Sequence, residues 1–392
     1  MRSFLIGFVP CALVAQGPPP ITYEDILAKA RTSPGQVRTE ALLAERQRAL
    51  AGSGGFLREG PSLAYSTGPR TRSGSSTTQD QNVDLDAPLF LSVGTRQRLV
   101  AALGQAEPLL RDATRVEAHF NLHRLYLDAW LAEHLVQLRE RDIATVESWL
   151  KATQARVEAG ADAAFQVNLV EGELLRAQAD LDEAGRQRLM TWAELRSMAD
   201  MPQSPVHVAD PGDVPQAPRD TLQVKFQVST LRRAIKARLD LEGENLRHQE
   251  ALATSRWSLR GTYAREGDEH IGKVGLAYRF ARPGEGQAVR RETEANLQAT
   301  RRDLELALDE LDARFQTGLS RLQGSAPPLP FSGFETALRA ISLRLSEGKE
   351  RPSEALPIRR QLLEAQAASY RRLHAAHLLV AELQALTTRV TP

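Results

Sequence analysis

The sequence predicts a mainly α-helical chain with a small β part, organised as a twofold internal repeat. Three observations carry this. First, Arg156-Val157-Glu158-Ala159-Gly160 is followed by Leu174-Leu175-Arg176-Ala177-Gln178-Ala179. Near the C-terminus, Arg344-Leu345-Ser346-Glu347-Gly348 is followed by Leu362-Leu363-Glu364-Ala365-Gln366-Ala367. The glycines are 188 positions apart (348 − 160), and the Leu-Leu-x-Ala-Gln-Ala blocks keep that offset (362 − 174). A repeat of nearly half the chain takes precedence over length as a guide to architecture. Second, long stretches around both copies are dominated by Ala, Leu, Glu, Gln and Arg, the residues that cost least in a helix. Third, one short region in each half switches from helical to period-two alternation, the pattern of a half-covered strand.

Each Arg-x-x-x-Gly block reads as a helix end, a tight turn and a new helix, because glycine takes the left-handed conformation that closes a helix. Any helical hairpin has such a glycine. Two copies in register, each preceded by a strand pair, set this chain apart.

From the N-terminus, Met1-Arg2-Ser3 followed by the apolar run Phe4–Val14 has the layout of a secretory signal over 1–15, with Ala15 as cleavage position and Gln16 as mature start. Cys11 is the only cysteine, so no intrachain disulfide can form. Pro10 precedes it where lipidation would need a small residue. Thr22 and Asp25 suit a capping box opening a helix, which Ser33-Pro34 interrupts and which fades through Gly52, Gly54 and Gly55. Strands are expected at about 61–69, where Leu63 and Tyr65 alternate with Ser62, Ala64 and Ser66, and at 82–91, where Val83, Leu85, Ala87 and Leu89 alternate with Asn82, Asp84, Asp86 and Pro88. Helix resumes past Gly94 and runs to Glu158, interrupted at Pro108, a length of roughly 100 Å at 1.5 Å per residue. A return helix covers 165–198. This first repeat, 16–201, is joined by a proline-rich linker, 202–218, to the second, 219–392.

In the second repeat a helix is expected over 221–255, then strands at 257–264 and 272–281. Trp257, Leu259 and Tyr263 alternate with Ser258, Arg260 and Thr262; Val274, Leu276, Tyr278 and Phe280 alternate with Lys273, Gly275, Ala277 and Arg279. Helix continues to about Gln323, breaks at Pro327-Pro328 and Pro330, and resumes to the Gly348 tip. The last helix spans 353–388.

Net charge is +1, charged residues make up 25% and aromatics 5%. That balance lacks the basic footprint of a nucleic-acid binder. No run reaches the ~18 apolar residues of a spanning helix, which leaves membrane strands open. Four strands cannot close a barrel, and open edges cannot face lipid. A membrane barrel needs about eight strands or more, so the chain would have to pool its strands with copies of itself. Trp257, Tyr263, Tyr278 and Phe280 suit a lipid interface, while Asp84, Asp86, Arg260, Lys273 and Arg279 suit a water-filled lumen.

In the order and spacing of its motifs the chain resembles the TolC-like outer-membrane efflux proteins over essentially the whole mature sequence. The residues carrying the match are Ile21-Thr22-Tyr23-Glu24 with Ser33-Pro34, Ala87-Pro88-Leu89-Phe90, and both Arg-x-x-x-Gly tips with their Leu-Leu-x-Ala-Gln blocks. The resemblance implies a homotrimer: a twelve-stranded outer-membrane β-barrel joined to a periplasmic α-barrel tunnel. It also implies that the tips, with Arg156, Gly160, Arg344 and Gly348, dock on a periplasmic adaptor linked to an inner-membrane pump. The compact length looks most like the heavy-metal (cobalt–zinc–cadmium type) branch, whose cargo would be metal cations, with small toxic compounds as the other class. Family members often carry a carboxylate ring just after the second tip. Glu354, six residues beyond Gly348, falls there and would form a periplasmic gate. A further family acid is replaced by Pro357, and the first-repeat counterpart is Gln166.

No phosphate loop, His-Glu-x-x-His or paired-cysteine site is present, no nucleophile–base pair stands out, and neither an enzyme nor a cofactor is expected. His119 and His123 are one helical turn apart, as are His374 and His377. Surface or interhelical histidines are commoner than ligands at such spacing, so no metal site is assigned. The competing readings are a periplasmic adaptor, normally one hairpin flanked by soluble β domains, and a coiled-coil scaffold without a channel. Two hairpins and two amphipathic strand pairs argue against both.

Overall fold

The computed structural model describes residues 19–30, 37–38, 41–45, 48–49, 62–70, 78–89, 93–215, 218–254, 257–266, 269–280, 285–324 and 331–390. The expected signal segment with Cys11, the Ser33-Pro34 break, Gly52 to Gly55, Phe90 and the prolines at 327–330 lie outside these residues.

In chain order the elements are α1 (Tyr23–Ala28), β1 (Ser62–Arg70), β2 (Thr78–Pro88), α2 (Val93–Glu158), α3 (Phe165–Met198), α4 (Arg219–Gln227), α5 (Thr230–Thr254), β3 (Trp257–Glu266), β4 (Glu269–Tyr278), α6 (Glu285–Gly324), α7 (Phe331–Ser346) and α8 (Pro352–Thr387). The chain divides into two compact units, and each draws on both sequence repeats. One comprises Met1–Thr32, His119–Gln216 and Arg321–Glu382; the other comprises Ser33–Ala118, Ala217–Ser320 and Leu383–Pro392. A lone hairpin of long helices cannot bury its apolar stripe, so the repeats supply halves of shared cores.

In the first unit, the core gathers Leu122, Leu125, Tyr126, Ala129 and Trp130 of α2, Trp192 and Leu195 of α3, and Tyr370 of α8, with Ile26 of α1. Thr22 caps α1: its hydroxyl accepts from the Asp25 amide at 3.2 Å, and the Asp25 carboxylate accepts from the Thr22 amide at 3.0 Å. A second cluster packs Val146 and Trp149 of α2 and Val170 of α3 against Leu345, Ala355 and Leu356. The expected linker is firmly seated in this unit. Met201 and Val208 are buried, and Ile21 pairs with Val208 in a parallel bridge. Side chains at successive turns of α2 grip the segment: Tyr126 Oη donates to the Ala209 carbonyl at 2.8 Å, Trp130 Nε1 to Asp210 Oδ1 at 2.6 Å, and the Glu133 carboxylate accepts the Val208 amide at 2.8 Å. From α3, Trp192 Nε1 donates to the Pro202 carbonyl at 3.0 Å. Residues 201–213 therefore form a strap.

In the second unit the four strands form one antiparallel sheet in the order β1-β2-β3-β4. The helical core of this unit includes Leu99, Leu103 and Ala106 of α2 with Leu241 of α5, and Phe226 stacks on Phe315 with centroids 4.1 Å apart.

Several boundaries differ from expectation. β2 spans 78–88 rather than 82–91, because Thr78 to Gln81 continue the ladder with β1 across a stretch too polar to signal a strand. β4 begins at Glu269, three residues early, through the pair Glu266↔Glu269 at the hairpin end. Pro108 lies inside α2 without interrupting it. Its missing N–H removes one helical bond, a loss that a long, packed helix tolerates. The helix expected over 221–255 is split at Val228-Ser229, where the end of the chain comes in: the Thr230 amide donates to the Thr388 carbonyl and its hydroxyl accepts from the Val390 amide, each at 2.9 Å. No apolar pattern announces such a tertiary break.

Candidate functional site

Two features carry functional geometry, one in each unit. In the second unit it is the sheet. Cross-strand register places Asp84 opposite Thr262, Asp86 opposite Arg260, and Thr262 opposite Lys273. All four charged residues therefore share one face, since paired positions in a pleated sheet point the same way. Their partners are local: Arg260 Nη2 lies 3.4 Å from Asp86 Oδ2, and the Thr262 hydroxyl donates to Asp84 Oδ1 at 2.9 Å. Arg279 follows β4 by one residue and continues the polar parity.

The opposite face carries Leu63, Tyr65, Val83, Leu85, Trp257, Leu259, Tyr263, Val274, Leu276 and Tyr278. It is apolar and yet open: Val274 is 82% exposed, Leu276 66%, and Phe280 just beyond β4 85%. A soluble chain rarely leaves so extended an apolar surface uncovered. Aromatic rings flank it, Trp257 against Tyr278 at 5.0 Å between centroids and Tyr278 edge-on to Phe280 at 5.2 Å.

In the first unit the feature is the pair of hairpin tips. Gly160 and Gly348 have φ of 71° and 73°, in the left-handed region. Both turns close alike. The Gly160 amide donates to Val157 and the Ala161 amide to Arg156 (2.9 and 2.8 Å); the Gly348 amide donates to Leu345 and the Lys349 amide to Arg344 (3.1 and 2.8 Å). These crossed bonds are the Schellman pattern, in which two orphan helix carbonyls are satisfied by the residues that follow.

The arginine of each motif grips an acid six residues on. Arg156 Nε lies 2.9 Å from Asp162, and Arg344 Nε 3.1 Å from Glu350. Neither acid was singled out in the sequence, although the 188-residue offset relates them (350 − 162) and would have found them. The repeats then part company. The Arg156 side chain is 20% exposed and reaches the other tip, donating to the Leu345 carbonyl at 3.1 Å. Arg344, 61% exposed, makes its ion pair at its own tip.

Further along the hairpins, Arg359 of α8 donates to both oxygens of Asp142 of α2 at 2.8 and 3.0 Å, and Glu173 of α3 lies 3.3 Å away. All three are buried. Arg360 also pairs with Glu173. Burial by itself would raise the Glu173 pKa, but the Arg360 hydrogen bond and the charges of Arg359, Arg360 and Arg176 together lower it. The cluster's stabilisation is therefore present above the usual glutamate range and lost as pH falls through the depressed value. No internal signal reveals this cluster, because the offset carries Asp142 to Pro330 and Arg359 back to Glu171.

Glu354 sits in the exposed first turn of α8, where a carboxylate complements the helix dipole. Its first-repeat counterpart Gln166 is buried, so the tips differ in charge as well as in packing. Pro357 lies inside α8. Among the described residues no cluster of three or more His, Cys, Asp or Glu could hold a metal ion, and no helix is long and apolar enough to cross a membrane.

No family model matches the sequence, and no curated protein matches it either. Solved structures do. The chain is similar to the Campylobacter jejuni CmeC outer membrane channel, at 12% identity over 93% of this chain and 85% of that one, with a TM-score of 0.70. It is similar to the Vibrio cholerae outer membrane protein VceC, at 15% identity over 93% and 95%, with a TM-score of 0.68. CusC, whose structures concern folding and transmembrane channel formation, matches at 12% identity over 93% and 90%, with a TM-score of 0.68. The chain has the fold of the TolC-like outer-membrane channels.

The tips yield a sharp expectation. A Cβ on Gly160 meets nothing within 4 Å, whereas one on Gly348 meets the Arg156 guanidinium carbon at 3.3 Å. Gly160→Ala should cost about 1–2 kcal/mol from left-handed strain alone. Gly348→Ala should cost about 1 kcal/mol more in denaturant unfolding, and that excess should vanish when Arg156→Ala is added. Equal costs for the two glycines in the native background would contradict the packing of Arg156 over the second tip.

Proposed function

We propose that this chain is the outer-membrane exit duct of a tripartite efflux system. Three copies pool four strands each into a twelve-stranded barrel, continuous with a helical tunnel in the periplasm. The single observation that carries the reading is the four-stranded sheet, with charges on one face, an exposed apolar face on the other and β1 and β4 as its two edges. In lipid an unpaired strand edge is prohibitively costly, so a sheet of this kind must close with others. The charged face then lines water and the apolar face meets hydrocarbon. The likeness to solved outer-membrane channels supports the same reading.

On this reading the tips, with Arg156, Gly160, Arg344 and Gly348, present the docking surface for a periplasmic adaptor that joins the duct to an inner-membrane pump. The duct itself is a passive conduit without catalysis. Its cargo would be metal cations or small toxic compounds; a wide solvated passage needs no specific pocket. Three copies of Glu354 would ring the periplasmic mouth as a gate.

Two measurements test this. Leu276→Arg puts a cation on the apolar face and should cost about 2–4 kcal/mol near a bilayer midplane, against about 0.5 kcal/mol or less on a soluble sheet. Carbonate-resistant assembly in the outer membrane should collapse for Leu276→Arg and persist for Ala277→Arg on the charged face. Equal tolerance of both would favour a soluble sheet. Glu354→Gln should lower cation preference and alter divalent block in single-channel recordings. Unchanged selectivity would leave Glu354 an ordinary solvated residue.

A further inference from the structure

Six of the chain's eight histidines, His119, His123, His134, His207, His374 and His377, fall in the first unit, and all six lie at α1, the strap 201–213 or the helix faces that hold them. They are of two kinds. Three pair with carboxylates: His134 Nε2 is 3.2 Å from Asp210, His207 Nδ1 2.6 Å from Glu133, and His374 Nε2 2.8 Å from Asp128. Of the rest, His119 offers only its backbone carbonyl, which accepts from Tyr23 Oη at 3.3 Å. His123 and His377 are different. His123 is half-buried, stacked on Tyr23 of α1 at 4.3 Å and flanked by Tyr126 at 6.1 Å. His377 of α8 is 6% exposed, and its Nε2 has no hydrogen-bond partner. It meets the backbone of Gly212, where a φ of 76° turns the strap.

The ionisable groups that act on this pair can be named. His123 feels His377 across the interface and Glu24 from α1; His377 feels His374 from its own helix and Asp213 from the strap. Both imidazoles therefore lie where α1 and the strap meet α2 and α8, His123 under Tyr23 and His377 against Gly212, and charging His377 leaves a buried N–H without an acceptor. We propose that His123 and His377 make this closure an acid-released clasp: in their neutral forms they hold α1 and the strap onto α2 and α8, and protonation loosens both segments.

Both pKa values lie below the ordinary histidine value through burial first; at His377 the Gly212 backbone bond and Asp213 pull upward and His374 downward, at His123 His377 pulls downward and Glu24 upward, and burial decides the direction. As pH drops beneath about 6.5, the unfolded segment takes up protons that the closed clasp refuses. Clasp stability is thus complete above that value and lost as pH falls through the depressed ones.

The clasp is tested by hydrogen exchange on the full chain in detergent, with rates corrected for intrinsic pH dependence. The reporters are the Ile21, Val208 and Ala209 amides, which bond respectively to the His207 carbonyl, Glu133 and the Ile21 carbonyl. Their protection should fall by about tenfold or more from about pH 7.5 to about pH 5.5, while amides in the middle of α3 change by less than about twofold. In His123→Phe/His377→Gln the reporters should become flat with pH. Should that pair of changes prevent folding, His377→Gln alone should cut the fall to about threefold or less. His207→Gln, at an exposed imidazole outside the His123–His377 pair, should leave the fall intact. Protection independent of pH in the native chain, or an undiminished fall in the variants lacking His377, would overturn the clasp.

Discussion

A strand at the end of a sheet has one row of N–H and C=O groups with no ladder partner. In water those groups hydrate at little cost; in hydrocarbon each would forfeit several kcal/mol. This chain couples that constraint to an apolar face that no other part of the described chain covers, since Val274, Leu276 and Phe280 stand open. A sheet with open edges and an oily face is unstable as a solitary object in either solvent. Under the duct reading both deficits are met at once by neighbouring copies and lipid, and the charged face, already locally paired through Asp86–Arg260 and Asp84–Thr262, is left to water.

The helical part shows how a duplicated sequence acquires unequal roles. Both tips close with the same crossed backbone bonds and the same arginine–acid spacing, so the repeat is preserved where chain reversal demands it. The arginines differ in reach. Arg156 lies over Gly348 and binds the opposite hairpin, while Arg344 pairs with Glu350 at the surface. The buried Arg359–Asp142–Glu173 cluster draws on both repeats, and the 188-residue offset does not reproduce it, since Asp142 corresponds to Pro330 and Arg359 to Glu171. Such a cluster adds little net stability compared with well-packed apolar side chains, yet losing one member leaves a buried charge at a cost of about 3–5 kcal/mol. It ties α8 to both α2 and α3.

Much of this architecture was legible in the sequence because it rests on periodicity and local chemistry. The return helix appears over Phe165–Met198 as read from its composition, both tip glycines take the left-handed conformation, and the strand alternation assigns Asp84, Asp86, Arg260 and Lys273 to one face. What escaped depends on partners distant in sequence. The segment 202–218 reads as a linker from its prolines, but Tyr126, Trp130 and Glu133, one turn apart on α2, hold residues 208–210 within it as part of the strap. Those three look like ordinary helix residues until the strap is in place. The split between α4 and α5 likewise comes from the returning C-terminus, and the Arg359 cluster joins helices more than 150 residues apart along the chain. Asp162 and Glu350 are the exception, since the 188-residue offset relates them although neither stood out in the sequence.

The central claim is that the sheet is completed by copies of the same chain, and stoichiometry in the membrane-extracted state addresses it most directly. Native mass measurement of the full chain, extracted from outer membranes in mild detergent and cross-linked at increasing reagent concentration, should give a ladder that ends at three. No membrane-inserted monomer should be found at any concentration. A discrete, stable, inserted monomer would contradict the account, because four strands with two open edges could then reside in lipid unaided.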